Sequence, residues 1–377
     1  MEIIEVKTEN DRKKFIELPR KIYKNDPNWT APLAFQTREK LDPKRNPFFR
    51  HGWAKMFLAV EGSEVLGRIV ASDDPRFNEE NGSNMGMFGF FEAVDDQNVA
   101  NALFDKAARV LKEERKRDLL FGPVEFSTNY ECALLVEGFD SPAKVMMPYN
   151  PSYYPRLFDN WGLQKNRDLF SWYFDESAIF ADQWRPIVER LQKRYNFTVR
   201  GISLKNFAAD VERCMEVYEA VRHEWWWACV SLTQDEVRAY ADNLRKIACP
   251  EQTLLAEVDG KPVGFSITVP DFNEAARPLG GKLSWLGVPY LGALRLKYRL
   301  KRVKGARMMV LCVLPEYRRK GVAERLILDT FDYGRNVLKY ENAELGWTDE
   351  NNDKINHVLE RVGAKRCKRY RVYQKDI

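Results

Sequence analysis

The chain has 377 residues, 45% of them hydrophobic and 31% charged, with a formal net charge of +5. That length fits two domains at about 150 residues each, and the composition supports packed cores and excludes a disordered chain. A surplus of this size is too small to argue for nucleic acid as a partner.

The chain opens as a strand, Met1-Glu-Ile-Ile-Glu-Val-Lys7, with neither the basic start nor the apolar core of a secretory signal. Phe57-Leu-Ala-Val-Glu-Gly-Ser-Glu-Val-Leu-Gly-Arg-Ile-Val70 reads as strand, glycine-containing turn, strand. Phe88–Val94 is an apolar strand, and a helix begins at Val99 after Asp95-Asp-Gln-Asn98. Met146–Tyr154 is a Pro-punctuated, Tyr-rich turn, followed by an apolar helix that stops at Gly162 and a β-rich segment ending in Trp172-Tyr-Phe174.

The second part repeats this order. Leu254–Ile267 echoes the first hairpin, and an apolar helix stopping at Gly363 echoes the one stopping at Gly162. Gly67 and Gly264 stand nearly as far apart as Gly162 and Gly363, so two copies of one fold are expected. We divide the chain into 1–175, a linker or helix at 176–197, and 198–377 with an insertion at about 272–306. The amphipathic helix from about Ala208 leads into Trp225-Trp-Trp227, which suits either an acceptor pocket or packing between the copies. Basic residues dominate from Arg295 to Arg325, as a solvated face, a phosphate site or a membrane-touching surface.

The most informative stretch is Met308–Ile327. An apolar strand to Leu314 ends at Pro315, and Arg318-Arg-Lys-Gly-Val-Ala323 leads into a helix with Val322, Leu326 and Phe331 on one side. Strand, short glycine turn and helix N-terminus make an anion cradle, because the first N–H groups of a helix have no internal partner and the dipole adds positive potential. Gly321 and Ala323 would let the backbone approach a diphosphate closely. Arg318, Arg319 and Lys320 add charge. In the first copy Asp95 and Asp96 stand at this place, where carboxylates would repel a diphosphate.

The order Arg318-x-x-Gly321-x-Ala323 resembles motif A of the GCN5-related N-acetyltransferase (GNAT) superfamily. The resemblance is firm over 305–365 and looser over 1–175. It implies an α+β, α/β/α-layered fold, in two GNAT-like domains. Each has a central mixed, mostly antiparallel sheet flanked by helices, and the first copy is degenerate. It also implies acetyl-CoA or a related acyl-CoA as cosubstrate. Arg318, Arg319, Lys320, Gly321, Val322 and Ala323 would hold the diphosphate, and backbone groups of Leu311, Val313 and Leu314 would face the pantetheine arm. A strand-end N–H would polarise the thioester carbonyl. Asn352, eleven residues before Gly363, matches a family position that contacts coenzyme A, and also reads as a plain helix cap. The family often carries a Tyr four residues before that glycine as general acid; here it is Leu359.

Amine attack on a thioester needs a proton acceptor. Glu350 is the candidate, ahead of Asp349 and Glu316. The expected activity is acyl transfer to the amine of a small-molecule or peptide acceptor, by a monomer or homodimer. Two alternatives stay open: a non-catalytic acyl-CoA sensor or interaction protein, and a Fem-like aminoacyl transferase. The latter group lacks an intact diphosphate loop, which argues against it. The six Cys have no paired spacing, the usage of a reducing compartment, and the three His are far from any metal-ligand pair. No run of about 18 apolar residues predicts a membrane span, and a cytoplasmic protein is expected.

Overall fold

A computed structural model describes residues 1–175, 180–225, 228–247, 249–281, 284–285, 288–289 and 303–377. The first half runs β1 (Glu2–Glu5), α1 (Glu9–Ile22), α2 (Ala34–Lys40), β2 (Trp53–Glu61), β3 (Glu64–Asp73), α3 (Pro75–Asn81), β4 (Met85–Ala93), α4 (Gln97–Arg115), β5 (Leu119–Gly122), β6 (Leu134–Glu137), α5 (Tyr154–Trp161) and β7 (Gln164–Asp175). Helix α6 (Phe180–Tyr195) joins it to the second half. There the order is β8 (Phe197–Gly201), α7 (Phe207–Trp225), α8 (Gln234–Ile247), β9 (Thr253–Val258), β10 (Lys261–Pro270), α9 (Phe272–Ala276), β11 (Ser284–Trp285), β12 (Val288–Pro289), β13 (Gly305–Val313), α10 (Val322–Tyr333), β14 (Asn342–Asp349), α11 (Asp353–Arg361) and β15 (Lys365–Asp376). Apart from short additions, both halves read strand, two helices, three strands, helix, strand, helix, strand. The basic stretch 290–302, Trp226 and Trp227 lie outside the described residues.

Local chemistry sets the helix ends. Thr8 and Asp11 form a reciprocal capping box at α1, each side chain accepting the other's backbone N–H at 3.1 Å. In α10, Val322, Leu326 and Thr330 recur every four residues and are all buried, the spacing that puts one helix face on a sheet.

The two expected sheets run together as one sheet of thirteen strands. Its order is β1-β2-β3-β4-β5-β15-β7-β14-β13-β10-β9-β8, with β6 also on β15. The last strand of each half has crossed over: β7 pairs antiparallel with β14 of the second half, and β15 with β5 of the first. The two crossed strands pair with each other, from Lys365↔Tyr173 to Gln374↔Gln164. Burial follows the exchange. Trp172 of β7 packs with Met308, Ile327, Leu345 and Leu359 of the second half and donates its indole N–H to Thr348 Oγ1 at 2.8 Å. Tyr373 of β15 packs against Phe158 in the first-half core, ring centroids 5.3 Å apart. Each such burial stabilises by about 1.5–3 kcal/mol.

Asp168 on β7 fixes this seam. It accepts from Arg371 Nε at 2.7 Å and Nη2 at 3.0 Å, and from Arg369 Nη1 at 3.1 Å. Burial opposes its charge, but the hydrogen bonds and charge of Arg371, with Lys165, outweigh burial and hold the carboxyl below its ordinary value.

Candidate active site

Strands β13 and β14 are parallel neighbours only from Gly305↔Asn342 to Met308↔Leu345. Beyond that, β13 stays with β10 and β14 with β7. A wedge therefore opens between Met309–Val313 and Gly346–Asp349. Helices α10 and α11 follow these two strands, so both N-termini lie at its open end and direct positive potential there.

The diphosphate loop follows β13. Gly321 is the N-cap of α10 at φ 87°, and among the described residues no side chain caps the first turn. Its N–H groups are a donor set that fits a diphosphate. A Cβ at Gly321 would meet Leu191 of α6 at 3.0 Å. The left-handed turn and the contact with α6 each call for glycine here. Arg319 is exposed, also at positive φ. Lys320 lies over the rings of Tyr317 and Tyr195, at 4.6 and 5.4 Å. Val322 is buried in the core, which leaves its backbone N–H to the site, and Ala323 is half-buried.

Two of the strand-end groups are already in use. The Leu314 N–H donates to Val263 O at 2.9 Å, and the Val313 carbonyl accepts from Arg318 Nε at 3.1 Å. Leu311, half-buried, borders the wedge. Asn352 caps α11, accepting from the Ile355 N–H at 3.5 Å. Glu350 is drawn to the sheet, with Lys165 Nζ on one oxygen at 2.6 Å and the Asp168 N–H on the other at 3.0 Å. Leu359 is buried in the core and offers no acid.

The matching place in the first half is built differently. β4 and β5 pair only from Met85↔Leu119 to Met87↔Phe121, the Val124 N–H then donates to Phe88 O at 2.7 Å, and Phe91, Phe104, Tyr154 and Phe158 pack together in the core beside it. The Tyr154 hydroxyl accepts the Ala93 N–H at 2.9 Å and donates to Glu92 at 2.7 Å. Asp96 caps α4 through the Asn98 N–H, and Asp95 pairs with Arg156. The first half thus occupies with its own side chains the groups a cofactor would need.

A cavity of about 1150 Å³ lies between the halves. Met309 and Val310 of β13 and Trp347 of β14 form its wall beside the wedge, Tyr218 of α7 and Leu244 of α8 another, and the first half the rest. The lining is mostly apolar. Its charged residues include Arg68, Glu92, Asp210, Glu236 and Arg307, and a cluster of Lys40 of α2 with Glu125 and Glu131: Lys40 Nζ bonds Glu125 Oε2 and lies 3.4 Å from Glu131 Oε1. Burial pushes the Glu125 carboxyl up to about 7, Lys40 opposing and Glu131 reinforcing the rise. Two carboxylates around one ammonium leave a surplus negative charge that one proton can cancel. These residues escaped the sequence reading. The available signal was a carboxylate set in the apolar stretch Phe121-Gly-Pro-Val-Glu-Phe126.

Comparison with known proteins fits this geometry. The sequence profile of the Acetyltransferase (GNAT) family matches residues 218–364. Protein YghO of Escherichia coli (strain K12) is 32% identical over 375 residues, which are 98% of this chain and 93% of that protein. Bacterial ceramide synthase of Caulobacter vibrioides (strain NA1000 / CB15N) is 32% identical over 387 residues, covering 100% of this chain and 97% of that protein. A solved tandem GNAT protein from the clavulanic acid biosynthesis pathway superposes with a TM-score of 0.56 at 12% identity, covering 100% of this chain and 98% of its own. A GCN5-related N-acetyltransferase from Sphaerobacter thermophilus gives 0.52 at 13%, covering 99% and 95%; likeness at that identity bears on the fold alone. With strands that part before a glycine-capped α10 in one half and an aspartate-capped α4 in the other, this chain belongs to the GNAT acetyltransferase family, as a tandem with a degenerate first copy.

Proposed function

We propose that this protein transfers an acyl group from an acyl-coenzyme A, held by the second half, to the amine of a long-chain acceptor. The observation that carries the acceptor class is the mostly apolar cavity beside the wedge. At about 1150 Å³ it exceeds the roughly 300–1,000 Å³ of ordinary small-molecule pockets. A short polar amine would leave most of that wall against water. An alkyl chain removes it, at about 0.8 kcal/mol per buried CH₂. The relative that is a bacterial ceramide synthase supports this reading, since a ceramide is an N-acylated long-chain amino alcohol.

Bound coenzyme A would supply an activated thioester. The α10 N-terminus, Arg318 and Arg319 would hold its diphosphate, and the wedge would orient the arm toward the cavity. The residues of β13 and β14 exclude water from one side of the reacting carbonyl, and the cavity lays the acceptor's chain so that its amine meets that carbonyl.

The test is a series of linear alkylamines from C8 to C18, with short amines and polyamines as controls, each with acetyl- and palmitoyl-coenzyme A. Thiol release and amide formation are both followed. In its rising part kcat/KM should climb about fourfold per added CH₂, the equivalent of about 0.8 kcal/mol, and then level off. Short polar amines turned over as fast as C16 would refute a long-chain acceptor. Acyl-coenzyme A binding without turnover of any amine would point to a sensor.

A further inference from the structure

Residues 123–133 stay anchored in the first half, where Phe126 stacks on Phe48, and carry their tip onto the second. The segment closes on itself through the Val124↔Cys132 bridge and a 2.8 Å bond from the Glu125 N–H to Glu131 O. Its tip is held by α7, α8 and their connection. Asn129 Nδ2 donates to Val230 O at 2.9 Å, the Tyr240 hydroxyl donates to Asn129 O at 2.8 Å, and Thr128 donates to Ala228 O. This docking sets Glu125 and Glu131 into the cavity wall. Glu125 keeps 21% of its side chain accessible and Lys40 30%, although both sit deep in the molecule, because they border that space.

The same cavity reaches the strand separation. Glu125, Glu131 and Lys40 share its lining with Met309 and Val310 of β13 and Trp347 of β14, which lie just past the last paired residues, Met308↔Leu345. Arg307, buried one residue earlier, fixes this end of the wall by donating from Nη1 to Val145 O and Met146 O and from Nη2 to Gly346 O.

We infer that the degenerate first half supplies the proton acceptor of the reaction: Glu125, which shares Lys40 with Glu131, receives the acceptor's ammonium group and takes its proton. The inference rests on the acyl-transfer reading above. The ammonium nitrogen gives one proton to Glu125, and the freed lone pair attacks the thioester carbon. The C–N bond forms and the C–S bond breaks. The nitrogen's second proton ends on the leaving sulfur, and Glu125 returns its proton to solvent. The charged and titratable groups acting on Glu125 are Lys40 from α2, Glu131 and Cys132 from its own segment, and Arg68 from β3. Glu131 holds the site's negative surplus, which attracts a cation, and raises the proton affinity of Glu125.

The test compares full-length wild type with Glu125→Gln, Glu125→Asp and Glu131→Gln, using dodecylamine as the probe. Turnover with an acyl-coenzyme A is followed from pH 6 to 9, and dodecylamine binding by calorimetry. In the wild type kcat should rise through a limb near pH 7. Glu125→Gln should lose that limb and about 100-fold in kcat with unchanged acyl-coenzyme A affinity, and Glu125→Asp should recover part. Glu131→Gln should keep the limb but move it to lower pH, which a merely structural role would not do; this variant decides the matter if Glu125→Gln fails to fold. If the wild type turns over dodecylamine and Glu125→Gln matches it within threefold, the inference is overturned and acyl transfer stands; an unmoved limb in Glu131→Gln overturns it equally. If the wild type acylates nothing, the acyl-transfer reading fails. Binding then decides: tenfold weaker dodecylamine binding to Glu125→Gln upholds the ammonium site, and equal binding removes it.

Discussion

Gly321→Ala separates what the fold requires at the diphosphate loop from what a ligand requires. The wild-type residue sits at φ 87°, ψ 4°, a conformation costing an L-residue about 1–2 kcal/mol. The new methyl would also lie 3.0 Å from Leu191 Cβ and 3.1 Å from its Cδ1, inside the usual carbon contact of about 3.5–4.0 Å. The overlap is small, so this overpacking belongs at the lower end, about 1 kcal/mol. The expected sum is about 2–3 kcal/mol of lost stability, read by urea unfolding followed through tryptophan fluorescence. Leu191→Ala in the same background should show a favourable coupling of about 0.5 kcal/mol, since it removes Cδ1 but leaves Cβ. Acyl-coenzyme A affinity should stay within threefold, because the methyl points at α6 and away from the wedge. A stable Gly321→Ala that cannot bind the cofactor would refute this account and return the glycine to the ligand.

Asp168→Asn should destabilise the whole chain by about 3 kcal/mol, since it leaves Arg371 with a neutral partner at a buried seam. The wild-type carboxyl titrates below its unfolded value. Its contribution is therefore fully present above the unfolded pKa, about 3.9, and is lost as pH falls through the lower folded one. An acid melt from pH 5 to 2 should steepen in the wild type and flatten in the variant; identical curves would dismiss the seam. Ending the chain after Gly363 removes β15 and should cost the first half its near-UV circular dichroism as well as the second, whereas a surviving first-half signal would show that β5 needs no partner. Tyr154→Phe leaves the Ala93 N–H unpaired and Glu92 short of a donor, so a loss of about 1–3 kcal/mol is expected in thermal melts. Acyl-coenzyme A affinity should not change, and a shift would mean that the first half does bind the cofactor.

The loop at Arg318–Ala323 was legible because strand, turn and helix signals are local: an apolar run, a proline, a glycine and a four-residue spacing. The repeat was legible for the same reason, as turn glycines recur at matching places. The exchange of β7 and β15 was not. Both are alternating strands, and nothing local tells Trp172 that its core lies in the second half. The pairing of Glu350 was hidden for the same reason, because its partner Lys165 sits on the exchanged strand. Glu125 and Lys40 stand far apart in the chain, and only the docking of segment 123–133 gives them a cavity to share. Asn352 fits the cap that its short polar side chain suggested.

The crossing of the last strands has a consequence for how the chain is made. A ribosome delivers the first half with β5 as an open sheet edge and with β7 as a surplus strand whose partners have not yet emerged. That edge stays bare until residues 365–376 are out, and an unpaired edge is a template for any passing strand. Closure of the first half therefore waits for nearly the whole message to be read. During that wait a β15 from a neighbouring nascent chain offers the same register as the chain's own. Crowded polysomes should then yield dimers clasped through their sheets, and a holdase that masks β5 should raise the share of closed single chains.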